Sequence, residues 1–413
     1  MPSITRTTQR REIETPGALE PIPGPAAGKP KEKKRRPIAE IVVCVVWCAA
    51  AVGMLAYLPN ILAPFNFKIY DMKVRLSRPP KAHPDIIHLD VDDTAILKYG
   101  QWPWDRSMSG KTVERLHEFG AKAVLFDVLY CAAGRSEEGN LAFFEAIKKA
   151  GNVISATGLG ITSDYDEKLV MDEDSSRADA LYEKSWIISG DPSFTPPKVN
   201  SLRNSYVPMV PIISLSAELG HVKAVPDSDG VHRRFPILVR LEDRYVPSLA
   251  LAALRIYWKL KLSDISPVDG RTLEISRRGQ SIRAPLDSDG SLIVRWGDAW
   301  DTFPHYSVVD LLSEEPDPMR KSRYQNKVVV VGFAATGNTD QGITPLAVNV
   351  PMSRIHSFAL NTVLTNSFIR QIPAFPWVVT ATVLITILFS VAATRLRWRV
   401  GLITAFAICM AFA

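Results

Sequence analysis

The sequence predicts an α/β domain, a mostly parallel sheet with helices on its faces, together with α-helical transmembrane spans. Two observations predict this class. Short runs rich in apolar and β-branched residues alternate with runs of helical periodicity between residues 85 and 156. Apolar runs of about 20 residues, the length that a membrane-crossing helix needs, lie on either side of the larger region. Strands that alternate with helices along a chain are typical of a parallel sheet.

The composition limits the class of protein. Of the 413 residues, 46% are hydrophobic and 22% are charged, so the chain can bury a large core and is not disordered as a whole. Residues 1–37 are instead rich in proline and charge, and we expect them to form a disordered cytoplasmic tail. Basic residues cluster beside the apolar runs, which indicates contact with anionic lipid and not with nucleic acid.

Two apolar runs, residues 38–58 and residues 375–393, are predicted transmembrane helices. Lysines and arginines near the ends of spans stay in the cytoplasm. They precede the first run and follow the second, at Lys29, Lys31, Lys33, Lys34, Arg35, Arg36, Arg395, Arg397 and Arg399. The sequence therefore predicts a multi-pass protein of the bacterial inner membrane, with residues 64–370 as a large extracytoplasmic domain.

A third apolar run occupies residues 400–413. A helix of that length rises only about 20 Å, whereas the hydrocarbon core is about 30 Å thick. We therefore expect it to be the start of a third, truncated span in a fragment of a longer protein. Cys131 is the sole cysteine of the exported region, which excludes a disulfide within that region and suits a bacterial periplasm.

The elements of the exported region follow from periodicity and from glycines placed to stop helices. Residues 162–206 are polar and irregular and are predicted to leave the sheet. Two copies of "DSDG", at 227–230 and 287–290, lack the further ligands of a calcium loop and predict tight hairpins. Strands are predicted at 85–91, 121–130, 152–156, 232–241 and 327–333, and helices at 107–119, 137–151, 248–260 and about 354–364.

The stretch "DVDDT", which begins at Asp90, has the D-x-D-x-T spacing of haloacid-dehalogenase-type phosphatases. Asp90 would then be the nucleophile, placed at the end of a parallel strand where ligands of α/β sheets bind. The acidic pair that holds Mg²⁺ in such an enzyme could come from "GDAWD" at 297–301, although its spacing is one residue short. A periplasmic phosphatase is therefore one possible function.

The next residues, "GQWPWDR", favour a structural interpretation of the same stretch. Proline between Trp102 and Trp104 makes a stiff amphipathic turn, on which Arg106 can stack. Asp92 and Asp93 are then expected to hold the strand end and this turn, through backbone hydrogen bonds and through Arg106.

Longer stretches of the exported region form a recognisable series. They are "YDMKVRLSRPP", "DVDDTAILKYGQWPWDR", "GAKAVLFDVLY", "DGVHRRFPI", "VPSLALAAL", "WGDAWDTFPHYSVVDLL" and "NKVVVVGFAATGNTDQGITPL". Together they cover most of the exported region, and they resemble, in the same order, the CHASE domain of type 2 (CHASE2), a sensory domain of bacterial membrane receptors. The "WPWDR" element is the most specific part of this resemblance.

The resemblance implies an extracytoplasmic input domain that relays a signal through its spans to a cytoplasmic output domain in cis. That output domain would be an adenylate or guanylate cyclase, or otherwise a kinase, and is not present in this chain. We expect a homodimer, because relay needs a bistable arrangement of spans. The signal would be an unknown small molecule or protein, and no enzyme activity is expected of the residues present.

The candidate site follows from the strand ends and from the resemblance. Asp127 lies near the end of the strand next to the first and could line a ligand crevice with Asp92 and Asp93. Arg233 and Arg234 could bind an anion or lie at a solvated strand end. The seven histidines show no metal-ligand spacing, so no metal site and no cofactor are predicted. The candidate residues are Asp92, Asp93, Trp102, Trp104, Arg106, Asp127, Arg234 and Asp340.

Overall fold

The computed structural model describes residues 59–162, 175–337 and 339–370, together with the isolated residues Val45, Ala49, Thr380 and Leu384. Residues 58–374 form one compact unit. The predicted tail at 1–37, and apart from those isolated residues the apolar runs at 38–58, 375–393 and 400–413, lie outside the described residues. No helix in the described part of the chain is both long enough and apolar enough to cross a membrane.

Helices and strands alternate in the first part of the described chain, whereas strands follow one another directly in much of the second part. The helices are α1 (Pro59–Leu76), α2 (Asp93–Tyr99), α3 (Arg106–Glu118), α4 (Glu137–Ala150), α5 (Ser175–Lys184), α6 (Val210–Leu215), α7 (Leu249–Trp258), α8 (Val308–Leu312), α9 (Arg320–Tyr324) and α10 (Ser353–Leu364). The strands are β1 (Ile86–Val91), β2 (Ala123–Phe126), β3 (Val153–Thr162), β4 (Lys198–Tyr206), β5 (Glu218–His221), β6 (Arg234–Pro236), β7 (Leu238–Leu241), β8 (Arg244–Pro247), β9 (Ile265–Asp269), β10 (Thr272–Arg277), β11 (Gln280–Pro285), β12 (Ser291–Ile293), β13 (His305–Ser307), β14 (Val328–Phe333), β15 (Gln341–Gly342) and β16 (Val350–Pro351).

The main sheet is mixed. Its parallel part has the strand order β13-β1-β14-β2-β3-β5. The second half of β3 then pairs antiparallel with β4, and β4 continues through β7 to β8. The α/β class is confirmed, whereas the mostly parallel arrangement describes only the first part of the sheet. Because β14 lies between β1 and β2, the ends of these three strands are neighbours.

The two faces of the parallel part pack against different helices. Ile86 and Val328 belong to a core that contains residues of α7 and α10, whereas Ile87 and Val329 belong to a core that contains residues of α3, α4 and α8. Successive residues of a strand point to opposite faces, so strands that are covered on both faces are mostly apolar. The domain therefore has a helix–sheet–helix layering around β14.

The helix ends follow local signals. Ser248 caps α7, with its Oγ accepting from the amide of Leu251 at 3.2 Å. Ser136 caps α4 in the same way, and Gly151 ends α4 with a left-handed φ of 62°. The predicted helices near 107–119, 137–151, 248–260 and 354–364 are confirmed, with small shifts at their ends.

Part of the prediction for residues 162–206 is wrong. β4 pairs with the end of β3 and so belongs to the main sheet, and residues 175–184 form α5. The sequence of β4, "KVNSLRNSY", is mostly polar, and within it Val199 and Leu202 are the members of the adjoining core. Hydrophobicity alone therefore does not reveal this strand.

Pairing differs from prediction at two further places. The predicted strand 232–241 is two strands, because β6 pairs with β12 while β7 joins the main sheet; Pro236 at the end of β6 lacks the amide hydrogen of a continuous ladder. Both "DSDG" copies form tight turns, with Gly230 and Gly290 at φ of 82° and 73°. The hairpin prediction is nevertheless wrong, since the strands that flank these turns pair elsewhere.

Candidate functional site

The first turn of α10 covers the ends of three neighbouring parallel strands. Asp90 of β1 lies in register with Gly332 of β14. Asp127 directly follows β2, and its amide donates to the carbonyl of Val331 at 2.9 Å. Ligands of α/β proteins bind beyond the carboxyl ends of strands. This edge, with the residues of α10 that contact it, is therefore the candidate site.

Gly332 permits the close approach of α10. A Cβ at this position would lie 2.7 Å from both the Cβ and the Oγ of Ser353, the first residue of the helix. A real Cβ atom essentially never makes so close a contact, and both partners here belong to buried structure. The helix can therefore bring its polar residues onto the strand ends only because residue 332 is glycine.

A buried ion pair holds the carboxylate of Asp90. Arg354 donates from Nη1 to Oδ1 at 3.0 Å and from Nη2 to Oδ2 at 2.8 Å, and the two side chains are 1% and 4% exposed. The ring of Trp300 lies 5.1 Å from the guanidinium carbon of Arg354. Both carboxylate oxygens are engaged away from solvent, so this geometry leaves no path for in-line attack on a phosphoester.

One member of the acidic pair of the phosphatase interpretation, Asp298, also forms hydrogen bonds within its own turn. Oδ1 of Asp298 accepts from the amides of Trp300 and Asp301 at 2.8 and 2.9 Å, which closes the turn of "GDAWD". The contacts of Asp90 and of Asp298 therefore favour the structural interpretation of both motifs.

Asp127 and Asp340 lie in a second polar group with His356 of α10. Nε2 of His356, a side chain that is 1% exposed, lies 3.7 Å from Oδ2 of Asp127. The pKa of Asp340 is raised, first because burial removes water from its carboxyl group and then because Asp127 is negatively charged; His356 acts in the opposite direction. The structure thus brings two of the predicted site residues together.

A buried histidine extends this second group into the protein. Phe235 contacts both His221 and His356, with ring centroids 5.5 and 5.3 Å apart. Burial, followed by the charge of His356, lowers the pKa of His221 to about 3, although the backbone of Pro236 raises it slightly. His221 is therefore neutral at physiological pH. Sequence reasoning misses it because its contacts depend on the strand order.

The W-P-W turn packs on the opposite face of the sheet. Trp102 and Trp104 meet edge to face with ring centroids 5.2 Å apart, and Trp102 also contacts Phe333 at 5.7 Å. Nε1 of Trp104 donates to the carbonyl of Gly100 at 2.7 Å. The peptide bond between Trp102 and Pro103 is cis. The two indoles border a cavity of about 10 Å³, close to the minimum for a single water molecule.

Arg106 takes a different position from the one predicted. It is buried, donates to Oδ1 of Asn140 at 3.0 Å and stacks on Tyr130, 5.2 Å from the ring centroid. A further hydrogen bond from Nη2 to the carbonyl of Ala132 completes its contacts with the start of α4 and the loop before it. The expectation that Arg106 ties Asp92 and Asp93 to the indoles is therefore wrong.

Asp92 and Asp93 hold the end of β1 through other partners. Asp92 caps α2, with Oδ1 accepting from the amide of Ala95 at 2.9 Å and from Oγ of Ser307 at 2.8 Å. Asp93 accepts from the amide and the hydroxyl of Thr336, both at 2.7 Å. Backbone hydrogen bonds to both carboxylates are confirmed, but none of these bonds reaches the W-P-W turn. The bonds from Ser307 and Thr336 fasten the end of β1 to the segments around β13 and β14.

Asp92→Ala is expected to lower the free energy of unfolding by about 1–2 kcal/mol, because α2 loses its cap and Ser307 loses an acceptor. Asp92→Asn should cost less, since an amide oxygen can still accept. Urea unfolding followed by tryptophan fluorescence measures both. An Asp92→Ala variant as stable as the parent would show that the cap contributes nothing.

Arg233 and Arg234 are bound by carboxylates of the protein itself. Arg233, whose side chain is 3% exposed, donates to Asp71 of α1 and to Asp227 and Asp229 of the first "DSDG" turn at 2.7 to 3.0 Å. Arg234 donates to Asp287 of the second turn at 3.0 Å. The prediction that Arg233 lies at a solvated strand end is wrong. The Arg233 cluster, which consists of Arg233, Asp71, Asp227 and Asp229, instead fastens α1 to the domain.

Comparison with known proteins identifies a family to which this chain is similar. A family model described as the CHASE2 domain matches residues 42–394, which is most of the chain. No curated protein and no solved structure matches it significantly. The match includes the strand ends, the W-P-W turn and α10, and reaches into both apolar runs.

Proposed function

The chain belongs to the CHASE2 domain family, whose members are extracellular sensory domains, and from this premise we propose that residues 64–370 are the input domain of a bacterial membrane receptor. A small molecule or a protein outside the cytoplasm would be the signal. It would act through α-helical spans at 38–58 and 375–393 on a cytoplasmic output domain in cis, a nucleotide cyclase or otherwise a kinase. The receptor would be a homodimer in the inner membrane.

One observation carries the relay part of this proposal: the segments that lead into and out of the domain are bonded to each other. Asn361, which is fully buried near the end of α10, accepts from the amide of His83 at 2.8 Å and donates to the carbonyl of Lys81 at 3.2 Å. Lys81 and His83 lie between α1 and β1. A displacement of α10 must therefore either move the incoming segment or break these bonds.

The other end of α10 supports the same proposal. Its first turn rests on the strand ends through Arg354, Ser353 and His356, where an α/β protein receives its ligands. Residues 353–363 are all buried, so the helix is packed along its length. Densely packed elements shift as units between discrete arrangements. A ligand that altered the Asp90 or Asp127 contacts would thus act directly on the helix that leads out of the domain.

The placement of the domain can be tested with alkaline phosphatase fusions, because this enzyme is active only after export. We expect high activity for a fusion after residue 200 and background activity for fusions after residues 30 and 399, at equal expression measured by immunoblot. The reverse pattern would overturn the extracytoplasmic location and, with it, the sensory role.

A further inference from the structure

We propose that the outward face of α1 is the seam of the homodimer, a parallel two-stranded coiled coil formed with α1 of a second copy of this chain. The parallel direction rests on the proposed function, since two copies anchored in one membrane present α1 in the same direction. The position of the seam rests on the contacts of α1 and on its sequence.

Three exposed apolar side chains form a stripe along α1. Ile69, Met72 and Leu76 are 46%, 54% and 80% exposed. They are spaced by three and then four residues, which is the spacing of the a and d positions of a heptad repeat. Large apolar side chains placed in this way are normally covered by another helix.

The same spacing continues upstream in the sequence. Leu55, Leu58, Leu62 and Phe65 extend the alternation of three and four, so seven successive a and d positions are large and apolar. An apolar repeat of 3.5 residues keeps one face of a helix against a partner that supercoils around it. The sequence pattern of the stripe therefore continues into the first apolar run, which lies outside the described residues.

The opposite face of α1 is the one that docks on its own domain. Asp71 bonds to Arg233, and Arg233 lies 4.6 Å from the ring centroid of Phe67. Tyr70 and Val74 are also partly buried. In the heptad these four residues occupy the b, c and f positions, which point away from a coiled-coil seam. The docking of α1 thus leaves the a and d positions open to a second copy.

A second copy fits this stripe better than a membrane surface does. A helix that lies on lipid needs a broad apolar arc, whereas an apolar stripe restricted to a and d is the narrower coiled-coil seam. Lys68 at g and Lys73 at e border the stripe and are exposed. In a parallel coiled coil Lys68 faces Lys73 of the other copy, and this repulsion weakens the dimer at low salt.

That repulsion gives a test in which the two possible partners predict opposite results. Lys73→Glu replaces two repulsive pairs by two attractive ones and should tighten dimerisation of the full chain in detergent about fivefold or more at low salt. Energy transfer between labelled copies measures this. Lys111→Glu, the same charge change at an exposed position of α3, is the control and should have no effect. An unchanged dimer, together with weaker binding to vesicles that contain phosphatidylglycerol, would overturn the seam in favour of a lipid surface.

Disulfide cross-linking in membranes locates the seam independently. In a chain whose four cysteines are replaced, Ile69→Cys or Met72→Cys should give a covalent dimer, whereas Leu97→Cys, at a position that is even more accessible, should not. Equal cross-linking at all three positions would show that the stripe is not the seam.

The alkaline phosphatase fusions and the cross-linking together tell failure of the seam apart from failure of the sensory role. If the fusions place the domain outside the cytoplasm and cross-linking is no stronger at the stripe than elsewhere, the proposed seam is wrong and the sensory role stands. If they place it in the cytoplasm, the sensory role is wrong, whereas cross-linking restricted to the stripe would still support the seam.

Discussion

Replacing Arg233 by methionine is expected to lower the free energy of unfolding by about 3–5 kcal/mol, because the substitution leaves buried or half-buried charges without their counter-ion. All five N–H groups of this guanidinium donate to three carboxylates. Without it, Asp71, Asp227 and Asp229 would repel one another. Since Asp71 belongs to α1, the loss should also loosen that helix from the domain.

The pH dependence identifies the cause of this loss. Hydrogen bonds from Arg233 hold the pKa of Asp229 below its usual value of 3.8. A group with a depressed folded pKa stabilises the protein above its unfolded pKa, and this contribution disappears as the pH falls through the folded pKa. The difference in free energy of unfolding between Arg233→Met and its parent should therefore become smaller below about pH 4.

Urea unfolding of the purified chain in detergent, measured at pH 7 and at pH 3.5, compares the variant with its parent. Arg240→Met is the matched control, because Arg240 is exposed; a surface change of this kind usually alters stability by less than about 0.5 kcal/mol. A loss for Arg233→Met as small as that of the control would mean that the cluster does not hold the domain together.

Asp90→Ala is the second substitution for which we expect a loss of about 3–5 kcal/mol, because Arg354 would remain charged and buried with no carboxylate to accept its hydrogen bonds. Replacing both residues by leucine should recover most of that loss, since an apolar pair has no desolvation cost. A double-mutant cycle of Asp90→Leu, Arg354→Leu and the two together therefore measures the coupling energy between the two side chains, separately from the effect of changing each residue alone. Asp301→Ala, which removes an exposed carboxylate nearby, is the control.

Substitution of Asp90 also tests the alternative function, a phosphatase. We expect no Mg²⁺-dependent hydrolysis of a generic phosphoester by the parent chain, because Arg354 holds both oxygens of Asp90. Clear turnover that Asp90→Asn abolished would show that the ion pair opens and would restore the phosphatase interpretation.

Much of the fold could be predicted because its signals are local. The apolar run of β14, the serine that caps α7 and the glycine that ends α4 each act within a few residues of their own position. β4 could not be predicted in the same way, because its antiparallel pairing with the end of β3 comes from a partner about 40 residues away. Its mostly polar sequence gives no sign of that partner.

The candidate site was predictable only in part, for the same reason. The backbone hydrogen bond of Asp92 comes from an amide three residues away; the sequence predicted a bond of this kind, but not the helix α2 that Asp92 caps. The partner of Asp90 lies 264 residues away in sequence, and neither the D-x-D-x-T spacing nor the type of residue identifies it. Arg106, predicted beside the indoles, instead bonds to Asn140 of α4, a contact that depends on how α3 and α4 pack.

The sequence by itself determined the α/β class, the helices α3, α4, α7 and α10, the strands β1, β2 and β14 with the start of β3, the resemblance to CHASE2 and the strand-end position of the candidate aspartates. Those properties depend on hydrophobic periodicity, helix caps and motifs, and each of these signals is formed by residues close together in the sequence. Only the tertiary structure decided that β14 enters between β1 and β2, that Gly332 admits α10, and that Arg354 and His356 then meet Asp90 and Asp127. These contacts join residues far apart in the chain, and their partners are selected by hydrogen-bond register and by packing, which a single sequence does not display.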